Sequence, residues 1–138
     1  MSYARVGKSP PRWVWVLGVL LFASLWSDPT WGGEPESSVS FNHEIVPILT
    51  KAGCNAGACH AKAGGGQNGF QLSLLGYEPD EDYEALVKGA RGRRVFPAAA
   101  EKSLLLLKAT GELPHGGGAR LEVDSEQYEV IKRWIELG

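Results

Sequence analysis

Both cysteines of the 138-residue chain lie within one short stretch, Cys54-Asn55-Ala56-Gly57-Ala58-Cys59-His60, and a histidine directly follows the second. Any disulfide or thioether-held group in this chain is therefore anchored at this one stretch. The rest of the fold has to be built around that loop from a modest hydrophobic core.

The core is modest because the first quarter of the chain reads as an export segment rather than structure. Arg5, Lys8 and Arg12 stand without an acid ahead of the apolar run from Trp13 to Trp26, which ends in Ser27-Asp28-Pro29. A membrane-spanning helix needs roughly 20 apolar residues, and this run is shorter. Cleavage after Thr30-Trp31-Gly32 is expected, giving residues 1–32 as signal and a start near Gly33; an uncleaved membrane tether is the alternative. Either way the domain works outside the cytoplasm, in the periplasm or at the cell surface. About 106 residues remain, enough for one small domain and too few for a barrel or a two-domain catalytic cleft. They carry 11 Lys and Arg against 15 Asp and Glu, a balance that argues against a nucleic-acid partner.

A polar linker over 33–39 leads into Phe41, Ile45, Ile48 and Leu49, spaced as one face of a helix that Gly53 ends. Pro47 makes that helix begin near Val46, or near Asn42 with a kink. Phe70-Gln71-Leu72-Ser73-Leu74 alternates as a short strand does. A short acidic helix is expected over Asp80 to Lys88, with Tyr83, Leu86 and Val87 facing inward and Gly89 as the stop. Asp80-Glu81-Asp82 reads as its solvated N-terminus. Leu104 to Lys108 reads as a buried helical turn. Asp124, with Gln127 three residues on, is a capping-box-like start for a last helix that buries Tyr128, Ile131, Trp134 and Ile135. The expected fold class is all-α and loop-rich.

Three arrangements suit Cys54, Cys59 and His60. A disulfide closing a short loop leaves His60 as a coincidence. A tetrahedral zinc site takes both cysteines and two of His43, His60 and His115, without the usual close spacing of the second pair. A haem held through thioethers needs two neighbouring thiols to meet two vinyl groups on one ring edge, and a histidine beside the second thiol to reach the iron. The usual spacing is C-x-x-C-H, whereas here it is C-x4-C-H, and the small residues Asn55 to Ala58 let the extra length bulge outward.

From Phe41-Asn42-His43-Glu44-Ile45-Val46-Pro47-Ile48-Leu49 through Cys59-His60, then Glu101-Lys102-Ser103-Leu104-Leu105 and Arg133-Trp134-Ile135, the chain resembles the planctomycete-type cytochrome c domain. The resemblance covers nearly all of the region after the export segment, placing a class I cytochrome c-like haem domain over 40–138. It implies one covalent haem c on Cys54 and Cys59, His60 as the proximal iron ligand, and single-electron transfer with a redox protein of unknown identity. In that family such domains are often joined to further large domains on cell-surface proteins, so this chain is a stand-alone carrier or a piece of a longer one.

The only methionine is Met1, which leaves no methionine ligand once the export segment is removed. His115, between Pro114 and Gly116-Gly117-Gly118, is the candidate sixth ligand, with His43 as competitor and an open iron as a further alternative. Arg91, Arg93 and Arg94 are candidate partners for haem propionates, against a bland reading as a solvated basic turn. An electron carrier rather than an enzyme is expected, with peroxidase-like chemistry, which would need an open iron position and a distal acid–base group, as a further alternative. The rival reading is a non-redox interaction module whose cysteines form a disulfide or a zinc site.

Overall fold

Pro47 dictates how the chain enters its first helix. The computed structural model describes residues 38–138, so the expected export segment and its cleavage site lie outside the described residues. Phe41–Ile45 forms a wide π-type turn in which the Val46 N–H reaches back to the Phe41 carbonyl, and α1 (Val46–Lys51) continues from it with proline in its first turn, where no N–H is required. The α-helix proper thus starts at Val46, the late start that Pro47 favours, and a widened turn over Phe41–Ile45 leads into it. Ser40 caps that turn: its hydroxyl accepts from the His43 N–H (3.3 Å), and Glu44 returns a carboxylate to the Ser40 N–H (2.7 Å).

The exit is equally defined. Gly53 takes φ +77, its N–H donates to the Thr50 carbonyl, and the Cys54 N–H donates to the Leu49 carbonyl (2.9 Å). These two bonds make a Schellman closure, which delivers Cys54 immediately off the end of α1.

Three further helices follow: α2 (Pro79–Val87), α3 (Leu104–Ala109) and α4 (Glu126–Leu137), with short 3-10 turns between them, including Gly89–Gly92 and Pro97–Lys102. The domain is all-α and loop-rich, as expected. The Phe70–Leu74 strand does not form. Two isolated bridges, Ala61 with Leu72 and Gln67 with Phe70, stand in its place, and no strand occurs among the described residues. Burial does not follow the apolar–polar alternation of Phe70–Leu74: adjacent Leu72 and Ser73 are both buried, while the apolar Leu74 is exposed.

The core gathers Ile45 and Leu49 from the first helix, Leu72, Leu86 of α2, Leu106 of α3, and Tyr128, Ile131, Trp134 and Ile135 of α4. Trp134 belongs to it, packed with Phe41 (ring centroids 5.4 Å apart) and Tyr83 (6.2 Å). Two local expectations are corrected. The cap of α4 is Ser125, whose hydroxyl accepts from the Tyr128 N–H, while Asp124 adopts φ +61 outside the helix. Asp82 is buried rather than solvated: its carboxylate accepts the Ser73 N–H at 2.5 Å and the Ser73 hydroxyl at 2.7 Å, pinning the 70–74 segment to α2.

Candidate functional site: two histidines facing across a cleft

The loop that begins at Cys54 turns back on itself. The Cys59 N–H donates to the Ala56 carbonyl and the His60 N–H to the Cys54 carbonyl (2.9 Å), so the residue after the second cysteine is tied to the first. Asn55, fully buried between them, donates from its amide to the Thr50 hydroxyl (2.8 Å), which anchors the loop to α1. Both cysteines are free thiols and both are half-buried, so the disulfide of the bland reading is not formed. Burial pushes the Cys54 thiol above its ordinary value, neighbouring Cys59 adds to this, and Arg120 opposes it.

Cys54, Cys59, His60, Pro114 and His115 line a cleft of about 300 Å³. Leu49, Phe70, Leu104, Leu105 and Ala109 give it an apolar lining. Four cations, Arg93, Arg94, Lys108 and Arg120, and no carboxylate line it, although the chain as a whole is acidic. The cleft is thus suited to an apolar group that carries negative charge.

The His60 and His115 rings lie 6.1 Å apart between centroids with only 7° between their planes. Each has its Nδ1 against a main-chain oxygen: His60 on Phe70 O at 3.3 Å, His115 on Gly118 O at 2.9 Å. A carbonyl can only accept, so each Nδ1 carries the proton and each neutral ring keeps its Nε2 lone pair for a ligand. This is the orienting contact that metal-binding histidines require. Burial pulls the His60 pKa below its ordinary value, the Phe70 carbonyl opposes this, and the charges of His115 and Arg94 add to it.

The remaining candidates separate. His43 is exposed in the first helical turn and does not line the cleft. Arg91 is exposed on a turn outside the cleft, Arg93 is exposed on its rim, and Arg94 is buried with both ends of its fork on carbonyls, Ala85 at 2.8 Å and Gly69 at 3.1 Å. Arg94 is therefore not the solvated basic residue of the bland reading. Among the described residues, no three His, Cys, Asp or Glu side chains converge on one point, so the four-ligand zinc arrangement is not assembled. Sequence reasoning missed Lys108 and Arg120, which only tertiary folding brings to the cleft, and Phe70, which serves the site through its carbonyl and its ring.

No protein-family model, no curated protein and no solved structure matches the chain. The fold and site define a small all-α domain with an apolar, cation-rimmed cleft between two oriented imidazoles. Among the described residues no helix is long and apolar enough to cross a membrane.

Proposed function

We propose that the domain is an exported monohaem c-type cytochrome, with one haem c attached through Cys54 and Cys59, iron held by His60 and His115, and single-electron transfer as its role. The observation that carries this reading is the relation of the two imidazoles. A nitrogen ligand sits about 2.0 Å from its metal and the ring centroid roughly 1.1 Å further, so two histidines on opposite sides of one iron stand roughly 6.2 Å apart. The rings, stacked with near-parallel planes, already stand 6.1 Å apart, close to that spacing, and among the described residues neither Nε2 takes part in a hydrogen bond, so a turn of the side chains would bring both to a shared iron.

The donor set fits the group in other respects. Both thiols line the cleft, each able to add S–H across a vinyl double bond to give a thioether, with His60 next to the second in sequence. The apolar lining excludes water from a ring face, and the rim cations Arg93, Lys108 and Arg120 suit carboxylates at a ring edge. If bound, the haem would supply a one-electron iron couple, with His60 and His115 as the residues that would hold its iron and the cleft lining as its surroundings. Two histidine ligands give a lower potential than a methionine–histidine pair, which makes this a low-potential carrier.

Expression in a periplasm that contains haem-attachment machinery tests the reading. A haem spectrum that stays with the polypeptide through denaturation and acid–acetone extraction is the expected result. A colourless protein, beside a haem-loaded control cytochrome made in parallel, overturns it and leaves the thiol and metal chemistry of Cys54 and Cys59 to be assayed instead.

A further inference from the structure

Behind His60 lies a stack of three side chains. The Phe70 ring packs on the His60 ring at 4.5 Å, and the Arg94 guanidinium lies over Phe70, 4.5 Å from its centroid. Arg94 is 7% exposed, and among the described residues it has no carboxylate partner; its fork is taken by the carbonyls of Ala85 and Gly69. Gly69 directly precedes Phe70, whose own carbonyl receives the His60 Nδ1–H. A guanidinium that grips the Gly69 carbonyl and presses on the Phe70 ring fixes both ends of the residue that orients His60.

The same side chain is a buried cation whose charge no carboxylate offsets. Burying such a charge is costly unless something nearby compensates it. A negative charge gained on the far side of His60 does so, because Coulomb attraction is strong where water is excluded. The Phe70 ring stands between the two.

We propose that Arg94 is a positioning residue for His60: by clamping Phe70 it holds His60 in the Nδ1–H form with Nε2 presented to the cleft, and its uncompensated charge favours the reduced state of an iron bound there. The effect on reduction rests on the haem reading above, whereas the effect on the His60 tautomer does not. Outer contacts of this kind orient a ligand and tune its metal without touching it.

The test uses Arg94→Gln and Arg94→Lys, with Lys88→Gln as a charge control on an exposed residue paired to Glu84. Two-bond proton–nitrogen spectra of the haem-free protein, at a pH where both imidazoles are neutral, give the His60 tautomer ratio. We expect Nδ1–H to dominate in the wild type and to fall severalfold in Arg94→Gln. In the haem-loaded protein the reduction equilibrium of Arg94→Gln shifts about tenfold toward the oxidised form, equivalent to about 59 mV for one electron. Arg94→Lys recovers part of both changes, and Lys88→Gln causes neither. Should Arg94→Gln fail to fold, Phe70→Leu, which removes the clamped ring and keeps the carbonyl, shows the same tautomer shift. An unchanged tautomer ratio in these variants, or an unchanged potential in a folded, haem-loaded Arg94→Gln, overturns the proposal. If the wild type takes up no haem, the functional reading fails and the claim about reduction falls with it, while the tautomer ratio still decides whether Arg94 positions His60.

Discussion

Gly64 rests directly against the Gly57 carbonyl: a Cβ built on it would collide with that oxygen. The extra length between Cys54 and Cys59 is therefore tied to the next turn through the Gly57 carbonyl, although Gly57 and Ala58 themselves are exposed. Gly64→Ala forces the two segments apart, and overpacking of this kind costs about 1–3 kcal/mol. The expected outcome is a lower urea midpoint with an unchanged slope, together with less haem attached per polypeptide. An alanine variant as stable as the wild type would show that the loop has room to move.

His115 is the partner of His60 across the cleft, so its replacement separates the two-histidine site from a one-histidine site. His115→Ala is expected to lose the low-spin absorption spectrum. His115→Met is expected to keep it with a raised potential, because a thioether ligand raises the potential of haem iron. An unchanged spectrum and an unchanged potential in both variants would remove His115 from the iron.

Burial holds the His60 pKa below its ordinary value of 6.5, so the folded state favours the neutral ring while the unfolded chain takes up a proton first as the pH falls. The sign follows by linkage. This contribution to stability is complete above about pH 6.5 and is lost progressively as the pH drops from there toward the lower folded value. Urea midpoints of the haem-free protein should fall across that window more steeply than those of His60→Gln, and parallel pH profiles for the two proteins would contradict the assignment.

Asp82 makes two hydrogen bonds to Ser73 in a site closed to water, and bonds to an ionised group contribute about 1.5–3 kcal/mol each. Asp82→Ala strands the Ser73 N–H and should destabilise the domain by about 2–3 kcal/mol in urea unfolding. The loss should also loosen the 70–74 segment, which carries the Phe70 carbonyl on which His60 depends. Amide hydrogen exchange at Leu72 and Ser73 reads that directly, and unchanged protection there would refute it.

The sequence was most readable where one physical cause acts locally. The 3.6-residue spacing of Tyr128, Ile131 and Ile135 marks α4, and Pro79 with Gly89 brackets α2. Gly53 ends the first helix because its positive φ closes the turn. Local signals failed where two solutions compete: neighbouring polar residues Asp124 and Ser125 both suit a cap. Phe70–Leu74 alternates apolar with polar residues without a partner strand, which no single-segment pattern distinguishes from a true strand. The motif residues Cys54, Cys59 and His60 were legible by adjacency, and all three line the cleft. The approach of His115 to His60 and the burial of Arg94 depend on contacts remote in sequence, and periodicity carries no trace of them.

The closure of α1 onto Cys54, and of His60 back onto the Cys54 carbonyl, uses only contacts a few residues apart. Closing so short a loop takes on the order of 10–100 ns, far faster than events that await distant segments. During synthesis, Cys54, Cys59 and His60 can therefore come together as a self-contained unit before the segments that follow have been made. His115 comes 55 residues after His60 along the chain. On the haem reading proposed above, this order would let an attachment apparatus act on the thiols first, with the second imidazole completing the site as α4 docks.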